Sequence, residues 1–398
     1  MKKIVVFIIS FLLFIGNVLA YDFDIKSDKV IMVNLNEDMI LYEKNADEKT
    51  EIASLTKIIT AITVIEHQDD LNKVVTVKYN MLTGLDGYAK AGYKVGDQVT
   101  YFELLYALML PSAADAGQIL AVDLAGSVEE FANMMNEEVS KIGVKNSHFT
   151  NPVGIDDEGN YSTASDLYLI LKYSLNNEVF KTLFEADSYY AQTLGKTIYK
   201  TLDNTARQNN LDVSVIKGAK TGFTYEAGMC LASIAEENNV KYLIVTLNAD
   251  VDTFNHISDS VNLYNYYIDN YEYKDIINKD DFLITLPVKR SKTKELTFKA
   301  PEDVSKYLKK DFDKSKIEIK YDGVEEITSK IKKGDKLGTF DYIYEGESLY
   351  KLDIYLNEDI KYYNYNINRI VLALIIIFIL GIIRRIVRIN KKRKRRHK

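Results

Sequence analysis

One cysteine, four histidines, four prolines and no tryptophan occur in the 398 residues. With Cys230 alone, no internal disulfide can form, so an exported chain of this composition must hold its shape by its core. The surrounding stretch, Gly-Met-Cys-Leu-Ala-Ser-Ile-Ala, suits a buried small hydrophobe. His67, His148, His256 and His397 are too few and too scattered for a metal centre, and no cofactor is expected. The acidic run at 156–160 lacks the alternating ligands and distal glutamate of a calcium loop and reads as a polar turn. The prolines form no linker, and no internal repeat stands out. The 29 tyrosines are a bias without functional meaning.

What is present in long apolar runs lies at the two ends. Residues 1–20 carry two lysines, an apolar stretch and a small-residue finish at Val18-Leu19-Ala20, the pattern of a secretory signal peptide with a mature start near Tyr21. An uncleaved anchor is the alternative, but the apolar core is short for a span. Near the other end, Ile370 to Ile383 is uncharged on every helical face. That excludes an amphipathic helix with a polar face, although fourteen residues is also short for a span. We therefore expect a membrane-anchoring helix over 367–389, extended by snorkelling Arg369 and Arg384, with a helix lying on the surface as the rival. The basic tail, 390–398, is expected in the cytoplasm and the body outside. Without the two signal lysines and the eleven basic residues from Arg369 onward, the formal net charge falls from -6 to -19. So acidic a body disfavours nucleic acid as a partner, and the tail suits anionic lipid.

Between the ends, composition divides the chain near residue 270. Residues 21–270 alternate helical and strand patterns, which predicts an α/β or α+β domain. Ser127 and Glu130 form a capping-box signal, and Gly143 ends that helix. Pro111 breaks the helical stretch from Thr100 to Gly126 in two. Residues 271–366 read as alternating strands and turns, a small all-β module.

The chemistry begins in "EIASLTKIITAITVIEH". Leu55, Ile58, Ile59, Ile62 and Ile65 share one helical face, with Ser54 and Lys57 on its flank, three residues apart. No other charge occurs from Ile52 to Ile65, so both flanks are expected to be buried. A buried lysine is penalised by desolvation unless neutral, and a neutral lysine beside a hydroxyl is a base beside a nucleophile. The spacing alone is weak, because Ser214, Ser291, Ser329 and Ser348 share it in turn or strand contexts. Ser112 follows Pro111 at a helix start, where it could equally be a cap. Lys220-Thr221-Gly222 occurs once, on a strand; its lysine and hydroxyl can meet a carboxylate, and its glycine removes a side-chain clash. The order Ser-x-x-Lys, Ser, Lys-Thr-Gly carries more weight than any one of them.

Together, "SLTK", "PSAAD" and "KTG" resemble the three motifs of the penicillin-recognising serine enzymes. The fuller stretches "EIASLTKIITA", "FTNPVGIDDEGNYSTASDL" and "IKGAKTGFTYEAGMC" bring the chain nearest to the D-alanyl-D-alanine carboxypeptidases. The resemblance implies a serine β-lactamase/transpeptidase-like fold, an antiparallel sheet flanked by helices with Ser54 opening a central helix. It implies that Ser54 attacks the peptide carbonyl and Lys57 takes its proton. Ser112 would relay a proton to the leaving D-alanine. Lys220 and Thr221, beside Gly222, would hold the terminal carboxylate. The backbone N–H groups of Ser54 and Phe223 would receive the oxyanion. The implied partners are peptidoglycan stem peptides ending in D-Ala-D-Ala and β-lactam antibiotics. Lys220 near Lys57 is expected to lower the latter's pKa by like-charge repulsion.

The family's second motif usually has asparagine where this chain has Ala114, so turnover and substrate preference are open; Asp115 is one group that could compensate. Two rivals follow. A β-lactamase lacks support, since no deacylating glutamate motif is evident. A non-catalytic wall-binding or sensor protein draws support from Ala114 alone.

Overall fold

The computed structural model describes residues 23–363 and 365–394. The expected signal peptide and the last residues of the basic tail lie outside the described residues. Two compact units meet between Asp269 and Asn270.

The first unit is built on a five-stranded antiparallel sheet. Its strands are β1 (Lys29–Asn34), β2 (Met39–Lys44), β3 (Gly218–Thr224), β4 (Gly228–Glu237) and β5 (Val240–Ala249). Their order is β2-β1-β5-β4-β3, so the first strand pairs with the last and β3 is an edge. All six residues of β1 are buried, because the sheet is covered on both faces. Leu243, Val245 and Leu247 of β5 join the main helical core, while Thr246 points the other way. There Thr246 Oγ1 donates to the His256 carbonyl, and Ser233 Oγ lies 3.1 Å from Tyr264 Oη. Both partners belong to helix α8 (Asn255–Asn270).

The remaining helices are α1 (Thr56–His67), α2 (Tyr101–Met109), α3 (Ala114–Ala125), α4 (Val128–Ile142), α5 (Ala164–Leu175), α6 (Glu178–Glu185) and α7 (Thr201–Asn209). α1 is central: every residue from Thr56 to Val64 is buried, and it packs against α2, α3, α4, α5 and α6. Each fully buried isoleucine there stabilises the fold by roughly 1.5–3 kcal/mol. Caps sit where polar residues precede periodic runs. Ser127 Oγ accepts from Glu130 N at 3.0 Å at the start of α4, and Gly143 (φ 90°) closes it. Between α2 and α3 the chain passes Pro111 and then Ser112 in a left-handed conformation (φ 61°). Ser112 is not a cap, since α3 begins after Ala113. Cys230 is buried, and burial pushes its thiol up to about 12.

The second unit contains β6 (Tyr271–Ile277), β7 (Phe282–Pro287), β8 (Glu295–Lys299), β9 (Val304–Lys309), β10 (Glu318–Gly323), β11 (Lys336–Tyr344) and β12 (Glu347–Tyr355). Antiparallel pairs β6–β9 and β7–β8 accompany the three-stranded sheet β10-β11-β12. Ile276, Leu286, Ile327, Phe340 and Leu352 are among its core. The chain then enters α9 (Tyr365–Lys394). This helix outruns the expected 367–389 at both ends. Its span-length segment, Arg369–Lys392, contains an 18-residue window of mean hydropathy 2.8 in which no residue is buried. The basic residues from Arg384 to Lys394 continue the helix, which long flexible cationic side chains permit.

Candidate active site

Ser54 sits in a short 3-10 turn, Ala53–Leu55, that runs into α1. Ala53 is held at φ 47°, a left-handed conformation that costs a non-glycine residue about 1–3 kcal/mol. Two glycines make room for this turn. A Cβ on Gly154, itself at φ 79°, would fall 1.9 Å from the Ala53 carbonyl oxygen. A Cβ on Gly222 would meet the Ile52 carbonyl at 3.0 Å and Ser54 N at 3.2 Å. The glycine of Lys-Thr-Gly therefore lets β3 lie against the Ser54 turn, a constraint additional to the carboxylate approach expected from sequence.

One helical turn on, Lys57 is 2% exposed. Its Nζ lies 2.8 Å from Ser54 Oγ and donates to the Val153 carbonyl at 2.5 Å. Burial pulls its pKa down to about 7, and the negative charge of Asp115 opposes that pull. As a neutral amine, Lys57 can give one N–H to Val153 and turn its lone pair to the Ser54 hydroxyl. The site thus holds a base where a nucleophile needs one.

Across from this pair, Lys220 on β3 is 1% exposed and donates to Ser112 Oγ and to the Thr221 carbonyl, each at 2.8 Å. Its pKa is held well below the ordinary lysine range, first by burial and then by the charge of Lys57. The like-charge effect expected on Lys57 is thus resolved at Lys220 instead, while burial accounts for the depression at Lys57. Ser54, Lys57, Ser112, Lys220 and Gly222 converge on one site from three separate stretches of chain. Thr221 beside them is half-buried. Phe223 is exposed, its ring edge-on to the exposed Tyr225 at 5.5 Å.

Ala114 lies in a small apolar cluster with Leu85 and Val153, flanked by Tyr88 and Ile155. Asp115 points elsewhere: its carboxylate accepts from Ala91 N (2.9 Å), Gly92 N (2.8 Å) and Tyr93 N (3.2 Å). It secures that loop and acts on Lys57 through charge alone.

Sequence reasoning missed three participants. The Val153 carbonyl is backbone, which side-chain patterns do not report. Gly154 matters only through its approach to Ala53. Asn151 shapes the loop that supplies both: its Oδ1 accepts from Val153 N, Gly154 N and Ile155 N, and its Nδ2 donates to the Ile155 carbonyl. The Asn-Pro-x-Gly run at 151–154 was the available signal, as a turn.

Comparison with known proteins gives two family matches. Residues 17–251 match the family described as D-alanyl-D-alanine carboxypeptidase, and residues 271–362 match the C-terminal domain of penicillin-binding protein 5. D-alanyl-D-alanine carboxypeptidase DacF of Bacillus subtilis is 27% identical over 84% of this chain and 86% of its own length. A D-alanyl-D-alanine carboxypeptidase of Streptomyces is 34% identical over 57% of this chain and 81% of its own length. Penicillin-binding protein 5 of Haemophilus influenzae shares the fold, with TM-score 0.65 and 21% identity over 86% of this chain and 99% of that one.

Proposed function

This chain belongs to the D-alanyl-D-alanine carboxypeptidase family, and on that premise we propose that it trims peptidoglycan stem peptides by a serine mechanism centred on Ser54. It is a serine-type D-Ala-D-Ala carboxypeptidase, and penicillin acylates it. The observation that carries the residue assignment is the 2.8 Å contact between Lys57 Nζ and Ser54 Oγ, with the lysine held at about 7.

Neutral Lys57 takes the Ser54 proton as Oγ bonds to the carbonyl carbon of the penultimate D-alanine. The tetrahedral oxyanion is received by the backbone N–H groups of Ser54 and Phe223. The C–N bond then breaks as Ser112 gives its hydroxyl proton to the departing amine and takes the Lys57 proton in its place, which returns Lys57 to the neutral amine. Lys220 and Thr221, with Gly222, hold the substrate's terminal carboxylate, whose charge favours the protonated form of Lys220. Water attacks the acyl-enzyme ester, Lys57 again serving as base, and Ser54 is regenerated.

In this reading, residues 21–270 form the catalytic domain and 271–366 a β-rich stalk. Residues 367–389 cross the membrane, as part of the apolar helix α9, and 390–398 lie in the cytoplasm with the catalytic domain on the wall side. Support comes from the uncovered, span-length apolar surface of α9 and the basic run that follows.

The test is D-alanine release from a peptide ending in D-Ala-D-Ala by the detergent-solubilised full chain, with Ser54→Ala as control. Release that disappears in the control supports the reading. A folded wild-type protein that releases no D-alanine and takes up no labelled penicillin overturns it in favour of a wall-binding protein.

A further inference from the structure

We propose that the β-module carries a second membrane contact: a basic face, built from the 288–294 and 327–333 loops, that docks on the phosphate headgroups of anionic lipid. This rests on the reading of α9 as a membrane anchor.

The two loops contain seven basic residues and no acid: Lys289, Arg290, Lys292, Lys294, Lys330, Lys332 and Lys333. All seven are exposed. Lys289, Arg290, Thr328, Ser329 and Lys330, with Glu326, line a shallow cleft. Such a concentration stands out on a body whose formal charge is strongly negative.

Hydrogen bonds fix these loops at the point where the chain leaves the module for α9. Tyr363 N donates to the Arg290 carbonyl at 2.7 Å, and Ser291 Oγ donates to the Lys361 carbonyl at 2.9 Å. Tyr362 Oη donates to the Thr328 carbonyl at 2.8 Å, and Gly334 N to the Leu356 carbonyl at 2.8 Å. Lys289 N bonds the Ile327 carbonyl, tying the loops to each other. The acids adjoining these loops are Glu326, already paired with Lys289 at 2.6 Å, together with Glu295, Glu325, Asp335, Glu358 and Asp359. With Lys361, eight basic residues stand against six acids.

Chain geometry sets the height of this face. α9 begins at Tyr365 and its apolar run at Ile370. Even at the full reach of two residues of chain, residues 363–364 and the five helical residues after them span at most about 15 Å. The headgroup layer takes up roughly 5–8 Å of that. The remaining gap is within about one Debye length at physiological salt, so the lipid charge reaches these side chains. A phosphate diester surface offers acceptors to the lysines, to Arg290 and to the hydroxyl of Ser329.

The experiment uses the full chain, in which Cys230 is buried and leaves a surface label specific. A fluorophore is placed at Ser329→Cys, or at Lys299→Cys as control; Lys299 lies at the far end of the β7–β8 hairpin, opposite Phe282. The protein is reconstituted in phosphatidylcholine vesicles, or in an equal mixture with phosphatidylglycerol, each carrying a lipid-borne quencher. Flotation reports the anchor and quenching reports the face. We expect flotation in both lipids, with the docked-to-undocked ratio at position 329 at least about fivefold higher with phosphatidylglycerol, the effect of one basic residue at an anionic surface. Position 299 should not respond. Lys292→Glu/Lys330→Glu/Lys332→Glu should remove the difference while flotation persists. Equal quenching in both lipids by a protein that floats overturns the proposal and leaves the anchor standing. Failure to float overturns the anchor reading, and the proposal with it. A comparable response to inorganic phosphate on pure phosphatidylcholine vesicles would make the cleft a small-anion site and overturn lipid docking.

Discussion

Replacing Lys57 by methionine should abolish penicillin acylation and make the protein more stable at neutral pH. The side chain is buried, and its pKa falls from 10.5 to about 7, chiefly through burial. At 1.36 kcal/mol for each tenfold, that depression corresponds to roughly 5 kcal/mol. The sign follows from proton counts. Between pH 7 and 10.5 the unfolded chain binds a proton here that the folded chain does not, so stability rises with pH across this window. The cost is complete below pH 7 and gone above 10.5. Methionine removes it but leaves the Val153 carbonyl without its partner, which costs about 1–3 kcal/mol. The net gain at pH 6 should be about 2–4 kcal/mol, read as a higher urea midpoint for the catalytic unit. The gain should shrink as pH is raised toward 10. A Lys57→Met protein that folds but is no more stable than wild type at pH 6 would refute the claim that burial drives this lysine toward neutrality.

Three further outcomes are expected. The wild-type acylation rate with labelled penicillin should be half-maximal at about pH 7 and fall tenfold per pH unit below it, because neutral Lys57 is the active form; a flat profile from pH 5 to 8 would exclude it as the base. Gly154→Ala should cut acylation at least about a hundredfold, and φ strain alone should remove roughly 1–3 kcal/mol of stability, because its Cβ would overlap the Ala53 carbonyl; unchanged acylation would show that the nucleophile turn is not held there. Asp115→Ala should expose the 91–93 loop to limited proteolysis and shift the acylation inflection to lower pH, since the charge that raises Lys57 is gone; an inflection moved upward would contradict that coupling.

Much of the fold could be read from the sequence because its signals are local. The uncharged flanks around Lys57, the break at Pro111 and the stop at Gly143 each describe a few neighbouring residues, and the structure places helix α1, the α2–α3 break and the α4 terminus there. The five-stranded sheet order was not legible, since pairing β1 with β5 joins residues about 200 positions apart. In the site, the pairings of Ser54 with Lys57 and of Ser112 with Lys220 involve side chains that motifs can name. The Val153 carbonyl and the cradle at Gly154 are backbone features, set by where a distant loop passes. Asp115 shows the limit from the other direction: its identity was noticed, but only geometry reveals that it binds the 91–93 loop.

The sheet order also dictates when the site can exist. β3, which brings Lys220, is held in the sheet by β4 alone, and β4 is held by β5. β5 in turn completes its pairing on β1, near the start of the body. During synthesis the first strands emerge some two hundred residues before their central partner, so this long-range closure is a late step of folding. Ser54 and Lys57 emerge early, yet they have neither the Lys220 strand beside them nor a closed core around the lysine until Ala249 has followed. A half-made chain has no assembled site, and the last strand to arrive completes the surroundings of the first motif to appear.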